Sequence, residues 1–438
     1  MAHFRLLTIS ISALLGFTFL LLLPEACTPK LERTIYVPLV ETNTPATNRP
    51  PKENDCCREF LSYAPDTNNM DHTPMQYVRV NVHIMNSTSR EHNFEGAYGV
   101  QFAKKLIKAA NHDIATNDRL WLPYGNNLPN LPPRYRLKIT PRPNDPKDDG
   151  IYFHYDDDLY YYVIKGKNRN RGDRAVINKY GVQLDTVLNI FVLPHHPDSV
   201  ASETYKPTYA GIALGNAVKV TGAYETGGNE WTVRMVLNHE VGHIYTLSHT
   251  WAYNDGCDDT PRHMRCWNRT KNPPCDTAAS NNVMDYNALQ SAWSPCQIGK
   301  MHYIMSKEKH RSRRYMDPFW CTLDTALDIT IRDSIHWRGR KDLGGNLTIA
   351  SDATLKISCR TSLPKDARIT VQPGGKLILD GCRLHNACGD DWWGIELQSQ
   401  GERVAQVESI GPVQLENVQT LGLESSTKID TIIRSSIE

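Results

Sequence analysis

The sequence predicts an α+β domain followed by an all-β module. Three observations carry that expectation. Between about residues 75 and 320, stretches with apolar residues at every second position alternate with stretches at helical spacing. The last helical stretch contains HEVGH, at 239–243. Beyond Cys321 the helical spacing stops, and short apolar runs recur between Asp, Gly, Asn and Pro.

The elements follow in order. YVRVNVHIM, from Tyr77, alternates apolar and polar residues and predicts a strand. AYGVQFAKKLIKAANHDI predicts a helix with Val100, Phe102, Leu106, Ile107 and Ala110 along its inner face. YRLKITPRP predicts a second strand, and DDGIYFHYDDDLYYYVI a hairpin. TVLNIFVLP is apolar throughout, as a buried strand is. YAGIALGNAVKVTG predicts an edge strand interrupted by glycines, and EWTVRMVLNHEVGHIYTL a closing helix. In the C-terminal part, NLTIASDATLKISC, ARITVQPGGKLILDGC, WWGIELQS and GPVQLENVQTLGL look like coils of a right-handed β-helix, with a small sandwich as the alternative. Only a few coils fit, and no capping element is evident. The pair Trp392-Trp393 is expected in the core rather than on a sugar-binding face.

The chain has 438 residues, too many for one compact core. Its formal net charge of +1 excludes a nucleic-acid-binding protein, which needs a clustered basic excess. The one strongly basic run, KEKHRSRR from Lys307 to Arg314, is expected on a solvated helix face. At the N-terminus, Arg5, a long apolar run and PEAC have a signal-peptide layout. Ala26-Cys27 also fits the end of a lipoprotein signal, which would place a lipidated Cys27 in the membrane. The expected division is a signal over 1–27, a Pro- and Thr-rich linker or short prosegment over 28–74, the α+β domain over 75–320 and the β-rich module over 321–438. Of 11 cysteines, ten remain after Cys27 is set aside, an even number able to pair. Export to an oxidising compartment follows, as a secreted or cell-surface protein, with an outer-membrane lipoprotein as one form.

The chemistry sits in HEVGHIYTLSH. Helix positions four apart share a face, so His239 and His243 can point at one ion. His249, beyond a turn, can return as a third ligand. Three histidines leave one coordination position open, which marks a catalytic rather than a structural zinc. Glu240 is turned aside from the ion and suits a general base for water. The cysteines at 257, 266, 275 and 296 contain no Cys-x-x-Cys pair, which argues against a second zinc site. By count alone they allow three disulfide pairings.

HEVGH with LSHTW, GCDDTP, NNVMDY and CQIGKM, in that order, resembles the pappalysin group of metzincin zinc peptidases. The resemblance implies a twisted mixed sheet with an active-site helix, and zinc as cofactor. It implies His239, His243 and His249 as zinc ligands, Glu240 as general base, Met284 as the turn methionine beneath the metal, and Tyr286 as an oxyanion stabiliser. It also implies disulfides Cys257–Cys275 and Cys266–Cys296, and a structural calcium (Ca2+) near Asp258 and Asp259. Thr246 departs from the pattern, which has glycine where the chain leaves the helix. A β-branched residue at positive φ costs about 1–2 kcal/mol there, unless the turn takes another shape. No cysteine-switch motif is present in the N-terminal part. The expected function is therefore an exported zinc endopeptidase (Zn2+) acting on protein or peptide substrates. The alternative is a surface binding or adhesion protein that works through the β-module, with the zinc site as scaffold.

Overall fold

The computed structural model describes residues 30–36, 55–162, 169–251 and 255–419. The signal stretch and Cys27 lie outside them. Among the described residues, no helix is long and apolar enough to cross a membrane. The first strand is β1 (Leu31–Tyr36). The α+β part holds β2 (Gln76–Asn86), α1 (Gly96–Thr116), β3 (Tyr135–Ile139), β4 (Ile151–Tyr155), β5 (Leu188–Leu193), β6 (Ala210–Ala213), β7 (Ala217–Thr221), α2 (Glu230–Ile244) and α3 (Pro295–Met305).

These strands form one mixed sheet in the order β3-β2-β5-β7-β6, with β4 also paired to β2. All pairings are parallel except β6 with β7. The period-2 pattern of β2 is used on both faces. Val78, Val80, Val82 and Ile84 face α1 and α2 in the main core, while Met85 joins Phe191, Leu193 and Ile177 on the far side. Helix α1 buries Phe102, Leu106, Ile107, Ala110 and Ile114 against Val233, Leu237 and Val241 of α2. Each large side chain buried this way contributes about 1.5–3 kcal/mol. Arg234 on α2 pairs with the buried Asp113 of α1 at 2.7 Å and fixes their rotation.

Two element boundaries differ from expectation. The hairpin expected after Asp148 is a single strand, β4. It stops because the Asp156 carboxylate accepts the N–H groups of Asp158 and Leu159, an Asx turn that bends the chain away. The single edge strand expected over 209–222 is a hairpin of β6 and β7, which turns at Gly215, φ +82°. Arg311 lies where a side chain at that position would be.

The C-terminal part is a parallel β-solenoid with three faces. One face stacks the strands Ile329–Ile331, Leu347–Ile349, Arg368–Val371 and Gly394–Gln400. Ile329, Leu347, Ile369 and Ile395 lie in register along it and fill the interior. All three stacks are parallel, so the sandwich alternative is excluded. Trp392 is fully buried and donates its indole N–H to the Glu416 carbonyl at 2.8 Å. Trp393 is half-buried under Arg368.

Two segments expected on the outside instead join the two parts. In the stretch read as linker or prosegment, β1 pairs antiparallel with Gly394–Gln400. Cys57 is bonded to Cys359, and Tyr63 and His72 are buried. The Phe60 carbonyl lies against the bare Cα of Gly299 on α3. The basic run does not form a solvated helix face. Arg313 is buried and donates twice to Asp342, at 2.6 and 2.9 Å, and Arg360 donates to the same carboxylate at 2.7 Å. Burial opposes the Asp342 charge, but the two guanidiniums prevail and hold its pKa well below the usual carboxylate range. Glu308 of the same run meets Arg383 at 2.7 Å and His385 at 2.9 Å. The residues pair with solenoid charges that lie far away in sequence, so the run's composition alone could not reveal them.

Candidate metal centre

Helix α2 starts at Asn229, whose side chain accepts the Trp231 N–H. It ends in a Schellman turn. The Leu247 N–H donates to the Gly242 carbonyl and the Thr246 N–H to the His243 carbonyl, each at 3.0 Å. Thr246 occupies the left-handed position of this turn, φ +67°. The turn therefore has the shape glycine would give it, and the threonine side chain points to solvent.

That turn returns His249 to the helix. The Nε2 atoms of His239, His243 and His249 form a triangle with 3.1 Å on every side. The tautomers of two of them are set by backbone carbonyls. His239 Nδ1–H donates to Val283 O at 2.7 Å, and His243 Nδ1–H donates to Leu247 O at 2.8 Å. Their Nε2 atoms are then both acceptors, facing each other with no donor between them. A cation resolves that arrangement. Two ligands about 2.0–2.1 Å from one ion at tetrahedral angles lie about 3.3 Å apart, close to the spacing present. Burial lowers the pKa of His239 to about 3, of His249 to about 4, and that of His243 as well, which favours the neutral, ligating form of all three rings.

Glu240 is buried beside the triangle. Burial raises its pKa to about 8, against the lowering effects of the Ala213 N–H that it accepts and of the Arg171 charge. Gly211 on β6 makes room for it, since a Cβ there would lie 2.7 Å from Glu240 Cγ. Met284 is fully buried below the helix. Its sulfur sits against Gly242, where a Cβ would displace it. Tyr286 stands over the opening, its ring 4.8 Å from that of His249 and 5.7 Å from that of His239. Burial and the Glu240 charge raise its pKa, while Arg171 and Arg265 oppose them.

The Met284 turn is tied to α3. Gln297 accepts from Asn282 at 2.8 Å and completes a capping box with Ser294. This explains why NNVMDY and CQIGKM occur together. Asp259 accepts from Ser294 Oγ at 2.6 Å and from the Cys296 N–H at 2.9 Å, which brings Cys257 beside Cys296. The disulfides are accordingly Cys257–Cys296 and Cys266–Cys275, not the pairing implied by resemblance. The expected calcium site finds no support: both oxygens of Asp259 serve the helix cap, and Asp258 is exposed.

Several residues at the site were not singled out in the sequence. Gln290 is buried and donates to the Asp285 and Val283 carbonyls, fixing the acceptor of His239. Arg171, in the short helix Arg169–Gly172, and Arg265, in a loop, both act on Tyr286 through their charge. Only Gly211 left a sequence signal, as a glycine inside a strand.

A family profile described as pregnancy-associated plasma protein-A matches residues 205–306. No curated protein matches the chain. Among solved structures, "Mirolysin in complex with compound 9" aligns at 17% identity with a TM-score of 0.40, covering 55% of this chain and 96% of that one. "Tannerella forsythia mature mirolysin in complex with a cleaved peptide" aligns at 16% identity with a TM-score of 0.39, covering 55% and 94%.

Proposed function

We propose that this chain, pappalysin-like and of metzincin type over residues 205–306, is an exported zinc endopeptidase. The observation that carries the reading is the closed triangle of imidazole nitrogens, 3.1 Å on each side, with the Glu240 carboxyl beside it. His239, His243 and His249 would hold the ion. A bound zinc supplies a Lewis acid for the peptide carbonyl and makes water a nucleophile near neutral pH. Glu240 takes the proton of the attacking water on a carboxylate oxygen and delivers it to the departing amine nitrogen. The Tyr286 hydroxyl donates to the oxygen on which negative charge develops. Strand β6, an edge among the described strands, pairs with an extended substrate. Four disulfides fit an oxidising compartment, so we place the protein outside the cytoplasm, secreted or held at the surface through Cys27.

The test is a peptide-library digest with the chain from residue 28 onward, beside its Glu240→Ala variant. A start at 28 keeps β1 and the Cys57 anchor. Cleavage by the parent alone, with equal zinc content in both, is expected. A folded, zinc-loaded parent that cleaves nothing would sink the reading. The scaffold alternative drew its support from Thr246, and Thr246 does not displace His249.

A further inference from the structure

The loop stapled by Cys266–Cys275 has an unbalanced charge. Residues 260–275 hold four basic side chains, Arg262, Arg265, Arg269 and Lys271, and no acidic one. Two of these lie over aromatic rings. The Arg265 guanidinium lies 5.4 Å from the ring centre of Trp251 and 5.6 Å from that of Tyr286, at the mouth of the histidine triangle. It is exposed and has no carboxylate within ion-pair distance among the described residues. Asp285, the acid behind Tyr286, is fully buried, faces His263 at 3.5 Å and is stabilised from a longer distance by the Arg265 charge.

Arg269 lies over the Tyr124 ring at 5.5 Å and, with Arg119 and Trp121, lines an open surface depression of about 460 Å³. No Asp or Glu lines that depression. Arg119 and Arg269 each donate to one backbone carbonyl, those of Asn126 at 2.6 Å and Asp276 at 3.0 Å. These bonds position the guanidiniums and leave most of their N–H groups unused. The wall of the depression is also joined to the catalytic turn. The Trp121 N–H donates to Asn281 Oδ1, and Asn281 Nδ2 donates to the Arg119 carbonyl, each at 3.0 Å.

We propose that the site takes acidic peptides. One substrate carboxylate pairs with Arg265 beside the triangle, and a second enters the Arg119–Arg269 depression. Guanidinium forks bind carboxylates in preference to neutral amides, and the aromatic rings behind them limit their rotation. This inference rests on the peptidase reading for its substrate, but its test does not need catalysis.

Calorimetric binding to the zinc-loaded Glu240→Ala full chain provides that test. The probes are a decapeptide with six central glutamates, its glutamine counterpart and its lysine counterpart. The glutamate peptide should bind at least about tenfold more tightly than the glutamine one, at about fivefold for each exposed pair. Added Arg265→Glu, or Arg119→Glu with Arg269→Glu, should each reduce that preference about fivefold or more. Arg265→Lys, the conservative change, should retain most of it. The preference should also shrink in 0.5 M salt. Equal affinity for all three peptides overturns the proposal. So does tighter binding of the lysine peptide, an acidic preference untouched by both sets of swaps, or no binding of the glutamate peptide. Hydrolysis by the parent chain reports separately on the peptidase reading.

Discussion

Replacing Thr246 with glycine tests how the site tolerates its departure from the family pattern. Thr246 sits at φ +67°, where a β-branched residue costs about 1–2 kcal/mol. Its side chain is exposed, so little packing is lost on removal. Glycine gives back about 0.4–1 kcal/mol through the greater freedom of the unfolded chain. The net gain is about 1 kcal/mol. For a domain of this size that raises Tm by about 2–4 °C. Scanning calorimetry in chelator would measure it, with Thr246→Ala as the control that keeps a Cβ and therefore most of the strain. The triangle is already closed with threonine in place, so zinc affinity should stay within about twofold. A lower Tm for Thr246→Gly, an equal rise for Thr246→Ala, or a tenfold gain in zinc affinity would refute the reasoning.

Other expectations follow from the same geometry. Gly242→Ala should destabilise the chain by about 1–3 kcal/mol, because its Cβ meets the Met284 sulfur, and chemical denaturation would report it. Asp342→Asn should cost about 3–5 kcal/mol in the same assay, since it leaves Arg313 buried without a counter-charge and Arg360 with only the more distant Glu308. Burial lowers the pKa of His83 to about 3 and of His302 to about 4, and neither belongs to the histidine triangle. Below their usual value near 6.5, the unfolded chain binds protons that the folded one refuses. Stability must then fall as pH drops from about 6.5 to 4, by up to about 1.4 kcal/mol per pH unit for each group. A Tm that stays flat across that range would contradict this.

The histidine triangle was legible because its geometry is local. Four-residue helical spacing places His239 and His243, and a single turn returns His249. The sheet was legible through period-2 runs such as Val78 to Ile84. Pairings across long separations were not. Cys257 finds Cys296 because Asp259 caps α3, and nothing near Cys257 in sequence announces that helix cap. Arg313 and Glu308 looked like a solvated basic run because their partners Asp342, Arg383 and His385 lie in another module. The stretch around Tyr63 looked like linker because its anchors are isolated residues rather than a periodic face.

Strand β1 sets the order in which the molecule can be completed. Tyr36 shares a hydrogen bond of 3.1 Å with Ser409, a partner 373 residues later in the chain. Among the described strands the six residues of β1 pair with Gly394–Gln400 alone, so they must wait for that rung of the solenoid to be made. A chain stopped before the last rungs would have a closed histidine site but an unpaired first strand. Its exposed backbone edge would be open to other chains. Pairing of β1 thus reports that translation has passed the rung at Gly394–Gln400.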